Sequence, residues 1–277
     1  LPTAPKGTQT AARHHPLGLS YGAVALALEA LGHPLSKTTV YQAVQKAGEC
    51  IPGLRRQAIS SVPLPALGVD MTSVKCRGEW LSVGVSVDAL TGIALTVDLL
   101  ANEETATLQG WVEEIAAAVG AAVLVSDDAD GFTQVADAHG LRHQVCKAHV
   151  QRNTQAWVKQ MRPQLAQDRD GSLAAIAETP EQAVADVDTL WRLIQERPPG
   201  PEAEARLATI HERYLAAPSP RELGQEQMSL AYRLRLFSLD RWKLWRRLTF
   251  YRDWQGKDHR TLDGTNNACE RAIGWWV

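Results

Sequence analysis

The sequence predicts an α/β fold in which helices cover a mixed sheet of five strands, followed by a long helical segment. Residues 67–75 and 80–100 alternate between apolar and polar side chains, which predicts three successive strands, the last two forming a hairpin. A helical pattern follows at 105–119, and two short apolar strands then enclose a helix at 132–138. From about 149 to 250 the pattern is helical, with prolines marking the breaks.

The region before this sheet predicts a small DNA-binding unit. We expect a flexible arm at 1–16, a helix-turn-helix at 17–50 and a linker at 51–65. Ser20 and Ser36 are suited to cap two short helices, each ending at a glycine, although an ordinary helical hairpin would show the same pattern. The second helix carries polar side chains suited to base edges and phosphates, namely Lys37, Thr38, Thr39, Gln42, Gln45 and Lys46.

Charge is distributed unevenly along a chain whose net charge is only −2. Residues 1–60 carry six basic and two acidic side chains, whereas residues 61–130 carry two basic and eleven acidic ones. Residues 233–277 are basic again, with ten basic against five acidic side chains. An acidic middle repels phosphate unless its carboxylates hold cations, so we expect DNA affinity to come from the basic ends.

Composition also indicates the compartment in which the protein is expected. The chain lacks an apolar run of 18 residues and an apolar signal segment, so neither a membrane span nor a secretion signal is expected. Four scattered cysteines favour free thiols in a reducing compartment, which predicts a cytoplasmic protein. Because the first residue is Leu, we expect the chain to begin inside a longer gene product.

Carboxylates at two strands are the first candidates for chemistry. Asp70 lies within the first apolar strand, where a carboxylate is costly unless it is paired or binds metal. Asp127 directly follows the fourth strand, where open α/β sheets place their ligands. Asp128 and Asp130 fit ordinary turn chemistry. Glu270 has two local interpretations, a functional carboxylate or the last member of an Asn267-x-x-Glu270 capping box.

The segment 232–260 combines nine basic residues with interleaved aromatic side chains, a composition typical of surfaces that follow a nucleic-acid backbone. Arg246 and Arg247 are its adjacent basic pair. An amphipathic helix with buried aromatics is the alternative, and we expect about half of the aromatic residues to be buried. Core positions are predicted for Phe237, Trp242 and Trp245, and a position nearer DNA for Trp254.

A Cys146-x-x-His149 spacing, with His139 and His143 just upstream, has the appearance of half a zinc site. Structural zinc needs four ligands that converge on one ion, and no second cysteine pair lies nearby. Strand alternation would also direct the upstream histidines differently. We therefore expect Cys146 to pack as a small apolar residue and His149 to brace the next helix.

Four segments in this order, "GVDMTSVK", "LVSDDADGF", "QVCKAHVQRN" and "TNNACERAIG", resemble DDE transposases of the Mutator-like bacterial insertion-sequence group. The resemblance covers roughly residues 66–277. It implies an RNase H-like catalytic domain whose first part is 66–150, a helical insertion at 151–258 and a catalytic helix within 259–277. Only seven residues follow Glu270, so a further C-terminal segment is expected.

The resemblance also implies a mechanism. Asp70, Asp127 and Glu270 would hold two Mg²⁺ ions, or Mn²⁺ as a substitute, that cut a strand at the element end and promote attack of its 3′-hydroxyl on target DNA. The family often has Gly where Asp128 stands, which leaves open which aspartate is the ligand. A homodimer or larger assembly on double-stranded DNA is implied. Phosphate contacts are predicted beside the motifs, at Lys147, Arg152 and Arg271.

Two other functions remain open at this point. A nuclease on the same fold would cut without joining, and a domesticated regulator would bind DNA without catalysis. The long helical insertion and the predicted helix-turn-helix disfavour the nuclease. A carboxylate in a central strand disfavours the regulator, because DNA binding alone does not require it.

Overall fold

A computed structural model of the chain describes residues 19–59, 63–76, 78–224, 226–257 and 259–276. The predicted arm at 1–16 lies outside these residues. The chain divides into two compact units, Leu1–Val62 and Pro63–Val277, and each is considered by itself below. None of the described helices is both long enough and apolar enough to cross a bilayer.

Two helices, α1 (Tyr21–Ala30) and α2 (Lys37–Ile59), form the described part of the first unit. Ser20 caps α1 as predicted, since its hydroxyl accepts a hydrogen bond from the amide of Ala23 at 3.2 Å. The polar residues Lys37, Thr38, Gln42, Gln45 and Lys46 are exposed on α2, and Thr39 is half-buried. A small core holds the helices together, made of Val24, Leu28 and Val40.

Helix α2 continues eleven residues beyond its predicted end at Gly48. The predicted linker at 51–65 is therefore wrong for residues 51–59, which are helical. Gly48 and Pro52 each disfavour a helix interior, but Leu, Arg, Gln and Ala dominate 54–58 and favour it. Propagating an existing helix costs far less than starting one, so the helix passes both residues. DNA binding by this unit stays a prediction.

The second unit contains the mixed five-stranded sheet that the sequence predicts. Its strands are β1 (Ala66–Cys76), β2 (Glu79–Asp88), β3 (Ala94–Leu100), β4 (Val123–Ser126) and β5 (Arg142–Val145). Their order across the sheet is β3-β2-β1-β4-β5. The pairs β1–β2 and β2–β3 are antiparallel, whereas β1–β4 and β4–β5 are parallel.

Helices pack on the sheet because each carries an apolar face. Helix α3 (Thr105–Val119) buries the predicted face of Leu108, Trp111, Val112, Ile115 and Val119, and α4 (Asp130–Ala138) adds Phe132 and Val135 to the same core. Gly84 on β2 allows this approach, since a Cβ there would lie 2.7 Å from the indole of Trp111. A separate cluster joins α11 (Asn267–Trp276) to β2 through Cys269, Ala272, Val83, Val85 and Val87.

The predicted helical segment is confirmed, and it begins at Lys147, two residues before its predicted start. Its members are α5 (Lys147–Leu165), α6 (Ser172–Ala175), α7 (Pro180–Glu196), α8 (Glu202–Arg213), α9 (Pro220–Leu223), α10 (Leu230–Thr249) and a 3₁₀ turn (Phe250–Arg252). These helices build a core of their own around the fully buried Tyr214. This core also includes Val145 at the end of β5, so it is continuous with the sheet.

Two of the seven aromatic side chains of 232–260 are buried, and the other five are half-buried. Of the three predicted core residues, Trp245 is buried, whereas Phe237 and Trp242 are half-buried and pack against the core. Trp245 is 3% exposed, and the ring of Phe237 stacks on Trp157 with centroids 3.8 Å apart. The prediction for Trp254 is wrong, because this residue is 4% exposed and packs with Ala66 and Val123. Val125 and Leu262 belong to the same apolar cluster, and this apolar environment explains why the indole is buried.

Candidate functional site

The register of the parallel strands brings Asp70 and Asp127 together. Gly68 of β1 pairs with Val125 of β4, and each aspartate stands two residues further along its strand direction. Parallel strands advance at the same rate, so both carboxylates reach the same edge of the sheet. This edge is the one at which open α/β sheets bind ligands.

Asp70 is 8% exposed, and its carboxylate forms no ion pair among the described residues. Its Oδ1 accepts one hydrogen bond, 2.8 Å from the amide of Met71. Burial is the main reason that the pKa of Asp70 is raised to about 6. The hydrogen bond from the Met71 amide opposes the rise most, while the charges of Asp127 and Glu270 add to it and that of His149 lowers it. Asp127 and Glu270 therefore both lie within electrostatic range of Asp70.

The adjacent aspartates Asp127 and Asp128 have different environments. The Asp127 Oδ1 accepts a hydrogen bond from the amide of Ala129 at 3.1 Å, and burial followed by the Asp128 charge raises its pKa. Asp128 instead binds Asn153 Nδ2, at 2.9 and 3.1 Å, and lies 3.6 Å from Arg241 Nη1. Asp128 thus connects the end of β4 to α5 and α10. Asp127 forms no ion pair among the described residues, although the charge of His149 lowers its pKa in part.

Glu270 lies in the first turn of α11 and is directed toward α5. Its Oε1 is 3.0 Å from Arg152 Nη2 and 3.6 Å from His149 Nε2. Asn266 precedes the helix, and among the described residues Glu270 makes no hydrogen bond to the amide of Asn267. The Glu270 side chain therefore does not form the capping box in this structure. Its carboxylate is held by two cationic or protonatable groups.

Cys146 and His149 support the loop that leads to Glu270. Cys146 is fully buried at the end of β5, and its Sγ accepts a hydrogen bond from the Asn266 amide at 3.2 Å. Burial would raise the pKa of Cys146, but hydrogen bonds with His149 and Asn266 lower it overall. The Cys146 bond raises the pKa of His149 in turn. Asn266 Nδ2 also donates to the Val69 carbonyl at 2.7 Å, so the loop is tied to both β5 and β1.

The two histidines upstream of Cys146, His139 and His143, contact residues other than Cys146 and His149. His143 is buried, with Nε2 2.9 Å from Ser126 Oγ and Nδ1 3.2 Å from Arg247, and burial followed by the Arg247 charge lowers its pKa to about 4. His139 lies 3.9 Å from Glu113. Throughout the described residues, no three side chains of His, Cys, Asp or Glu stand close enough to hold a metal ion as they are. Glu270 in particular is engaged by Arg152.

Several basic residues predicted to bind DNA have partners within the protein. Arg247 forms a bidentate pair with Asp137, with both distances 2.9 Å, in addition to its bond with His143. Arg246 pairs with Glu204 at 3.0 Å while remaining largely exposed. Arg271 is exposed on α11, and Lys147 Nζ donates to the Asp263 carbonyl. Arg247 thus has a structural role that its sequence context did not indicate.

Three residues of the site were missed from the sequence. Asn153 and Arg241 hold Asp128, and Asn266 links the strands to the loop before α11. A signal existed for Arg241, which shares the buried face of α10 with Leu234, Ser238 and Trp245 at helical spacing. A charged residue on an apolar face requires a partner. The roles of Asn153 and Asn266 depend on contacts far apart in the chain.

A comparison with known families gives the class of protein: the chain is a transposase, an enzyme that processes nucleic acid. A family model described as "Transposase IS66 family" matches residues 101–277. The chain belongs to that family. The matched range includes Asp127, Cys146, His149 and Glu270, whereas Asp70 precedes it. No curated protein matches the chain.

The sequence resemblance is therefore confirmed at the level of a transposase. The matching model names the IS66 family and not the Mutator-like group that the four motifs resemble. DNA is the partner that a transposase requires.

Proposed function

We propose that the chain is a DDE transposase that uses Asp70, Asp127 and Glu270 for metal-dependent strand cleavage and 3′-hydroxyl strand transfer. The observation that carries the proposal is the position of Asp70 and Asp127 at one edge of the sheet. A buried, isolated carboxylate is costly in a sheet, and a bound cation would offset that cost. The order of three antiparallel strands followed by two parallel ones supports the RNase H-like fold that the motifs imply.

The donor set fits Mg²⁺ or Mn²⁺ chemically, because all three side chains supply carboxylate oxygens. The raised pKa of Asp70 arises from burial and from neighbouring negative charge, both of which a divalent cation would oppose. Such an ion would stabilise the charge that develops on the scissile phosphate. Glu270 can bind the metal only after its ion pair with Arg152 breaks. Arg152 is then free to bind a DNA phosphate.

The neighbouring residues would position these carboxylates. Asn153 and Arg241 anchor Asp128, which fixes the turn that carries Asp127. Cys146 and Asn266 anchor the loop before α11, which fixes the start of the helix that carries Glu270. Asp127 is therefore the proposed ligand and Asp128 a positioning residue.

DNA contacts are proposed for the exposed face of α2 and for residues near the carboxylates. On α2 they are Lys37, Thr38, Thr39, Gln42 and Lys46, and near the carboxylates Lys147, Arg152 and Arg271. We also propose that the active form is a homodimer or larger assembly, as the sequence resemblance implies.

A strand-transfer assay tests this function. A labelled duplex from the DNA that flanks the gene, a target plasmid and Mg²⁺ are incubated with the chain or its Asp70→Asn variant. We expect nicking and joined product from the wild type, and loss of both by about 100-fold or more in the variant. Arg162→Gln is the control, because Arg162 pairs with Asp188 in the helical segment. Cutting without joining would indicate a nuclease, and DNA binding without cutting would indicate a regulator.

A further inference from the structure

Three cationic side chains surround Tyr251 at the end of the helical segment. Lys147 Nζ lies 4.8 Å from the centre of the Tyr251 ring, and Arg252 Cζ lies 5.7 Å from it. Arg197 and Arg252 also act on the phenolic oxygen through hydrogen bonding and charge, and both lower the pKa of Tyr251. These four residues come from α5, the end of α7 and the 3₁₀ turn, and we call them the Tyr251 cluster.

The positive charge of the Tyr251 cluster is not balanced by an ion pair among the described residues. Among the described residues, no carboxylate forms an ion pair with Lys147, Arg197 or Arg252. Lys147 Nζ and Arg197 Nη1 donate to backbone carbonyls, which carry no net charge. Three like charges around one ring repel one another, so an anion bound between them would relieve the repulsion.

Arg197 provides independent evidence that the cluster is built for a ligand. It occupies the left-handed cap of α7 at φ 46°, where helices usually have glycine and where another residue costs about 1 kcal/mol or more. Its Nε is buried and has no hydrogen-bond partner among the described residues. Burial would raise the pKa of Tyr251, but hydrogen bonding and charge from Arg197 and Arg252 lower it overall. The same two arginines would also stabilise a bound anion.

The Tyr251 cluster adjoins the loop that leads to the carboxylates. The amide of Lys147 donates to the Gly264 carbonyl at 2.8 Å, and Lys147 directly follows Cys146. Gly264 has φ +76°, and a Cβ there would lie 2.6 Å from the Tyr251 ring, so ring and loop are in close contact. This loop continues through Asn266 into α11 and Glu270. A strand bound at the carboxylates can therefore extend onto the cluster.

We propose that the Tyr251 cluster binds a phosphate of the DNA backbone and thereby fixes the path of the strand beside the catalytic carboxylates. Arginine, lysine and tyrosine side chains are common phosphate contacts, and such contacts set the register of DNA without reading its sequence. The inference rests on the proposed function, since it names a second contact for the same DNA substrate. The Tyr251 cluster would bind the DNA backbone at this position whatever the base sequence.

The test is the salt dependence of DNA binding by the full chain. Affinity for a short fluorescein-labelled duplex is measured in EDTA by anisotropy over a series of NaCl concentrations, for the wild type and for Arg252→Gln. Loss of one phosphate contact should lower the slope of log affinity against log salt by about 0.9. Arg162→Gln removes an equally charged side chain of the helical segment that already has a partner, so it should keep the wild-type slope.

A second variant separates the contact from folding. Tyr251→Phe keeps the ring against Gly264 and removes only the hydroxyl, so it should weaken DNA binding by about 2- to 10-fold, the effect of one hydrogen bond. Wild-type affinity and slope in both Arg252→Gln and Tyr251→Phe would overturn the proposal. The proposed chemistry is judged separately, because this assay contains no divalent metal. A wild type that binds DNA in EDTA but never cuts it with Mg²⁺ would contradict only the proposed function.

Discussion

Arg152 holds Glu270 through an ion pair of 3.0 Å, on the side of α5 that faces the start of α11. These residues are 118 positions apart in the chain, so the contact links the helical segment to the last helix of the sheet domain. Glu270 is also the carboxylate that must turn toward Asp70 if the three acids are to share a metal. The ion pair therefore competes with metal binding.

Removing Arg152 should strengthen metal binding. Exposed ion pairs contribute about 0.2–1 kcal/mol, so Arg152→Gln should lower the dissociation constant for Mn²⁺ by about 1.5- to 5-fold. The measurement is a titration that follows free Mn²⁺ by electron paramagnetic resonance, without DNA. Arg162→Gln is a matched control, because Arg162 is 56% exposed and also pairs with a carboxylate, against 58% for Arg152. Weaker Mn²⁺ binding in Arg152→Gln would contradict competition.

Asp70 should make the metal-free protein less stable as the pH rises. Its pKa is raised from 3.8 to about 6 on folding, so the folded state holds a proton between these values that the unfolded state has released. The free energy of unfolding should then fall by up to about 3 kcal/mol from pH 3.8 to pH 6 on account of this group, with no further loss above.

Asp70→Asn removes this titration, which gives a direct check. In EDTA at pH 7.5 the variant should be more stable than the wild type in urea unfolding followed by tryptophan fluorescence. Adding Mg²⁺ should stabilise the wild type and leave the variant nearly unchanged. A variant less stable than the wild type in EDTA would show that the Asp70 carboxylate is not an isolated buried charge.

The two adjacent aspartates should differ in their effect on strand cutting. Asp127→Asn should reduce cutting by about 100-fold or more, because it removes a proposed metal ligand. Asp128→Asn should retain most activity, since its amide can still accept a hydrogen bond from Asn153. Initial rates of nicking at saturating Mg²⁺ provide the comparison. Equal losses in both variants would mean that Asp128 also contributes to the chemistry.

Arg241 should matter for stability because it is buried beside Asp128 and Asp240. Its side chain is 7% exposed, 3.0 Å from Asp240 and 3.6 Å from Asp128. Arg241→Met leaves both carboxylates without this cation and should cost about 3–5 kcal/mol in the free energy of unfolding. Adding Asp128→Asn should recover part of that loss. Purely additive effects in urea unfolding would indicate that the two residues do not interact.

Periodicity predicted the sheet because its strands have strong alternating or continuous apolar patterns. Asp70 and Asp127 were identified for the same reason, since a carboxylate within or just after such a strand is conspicuous. The predicted end of α2 at Gly48 is wrong because Gly48 and Pro52 are only local signals, whereas helix propagation depends on the whole segment. The residues next to Trp254 in the sequence do not indicate that it packs against Ala66 and Val123.

Long-range polar contacts were beyond sequence reasoning. Arg247 looks like a DNA-binding residue among other basic side chains, yet it binds His143 and Asp137, 104 and 110 positions away. The pairing of Glu270 with Arg152 and the Tyr251 cluster are of the same kind. Their members come from separate helices, and only the folded chain brings them together.

The most direct measurement of the central claim is an anomalous difference map from crystals of the DNA-bound chain containing Mn²⁺. The account predicts metal density within about 2.1 Å of carboxylate oxygens of Asp70, Asp127 and Glu270, with Glu270 released from Arg152. Density held by other residues, or Glu270 still paired with Arg152 while cleaved DNA occupies the site, would contradict it.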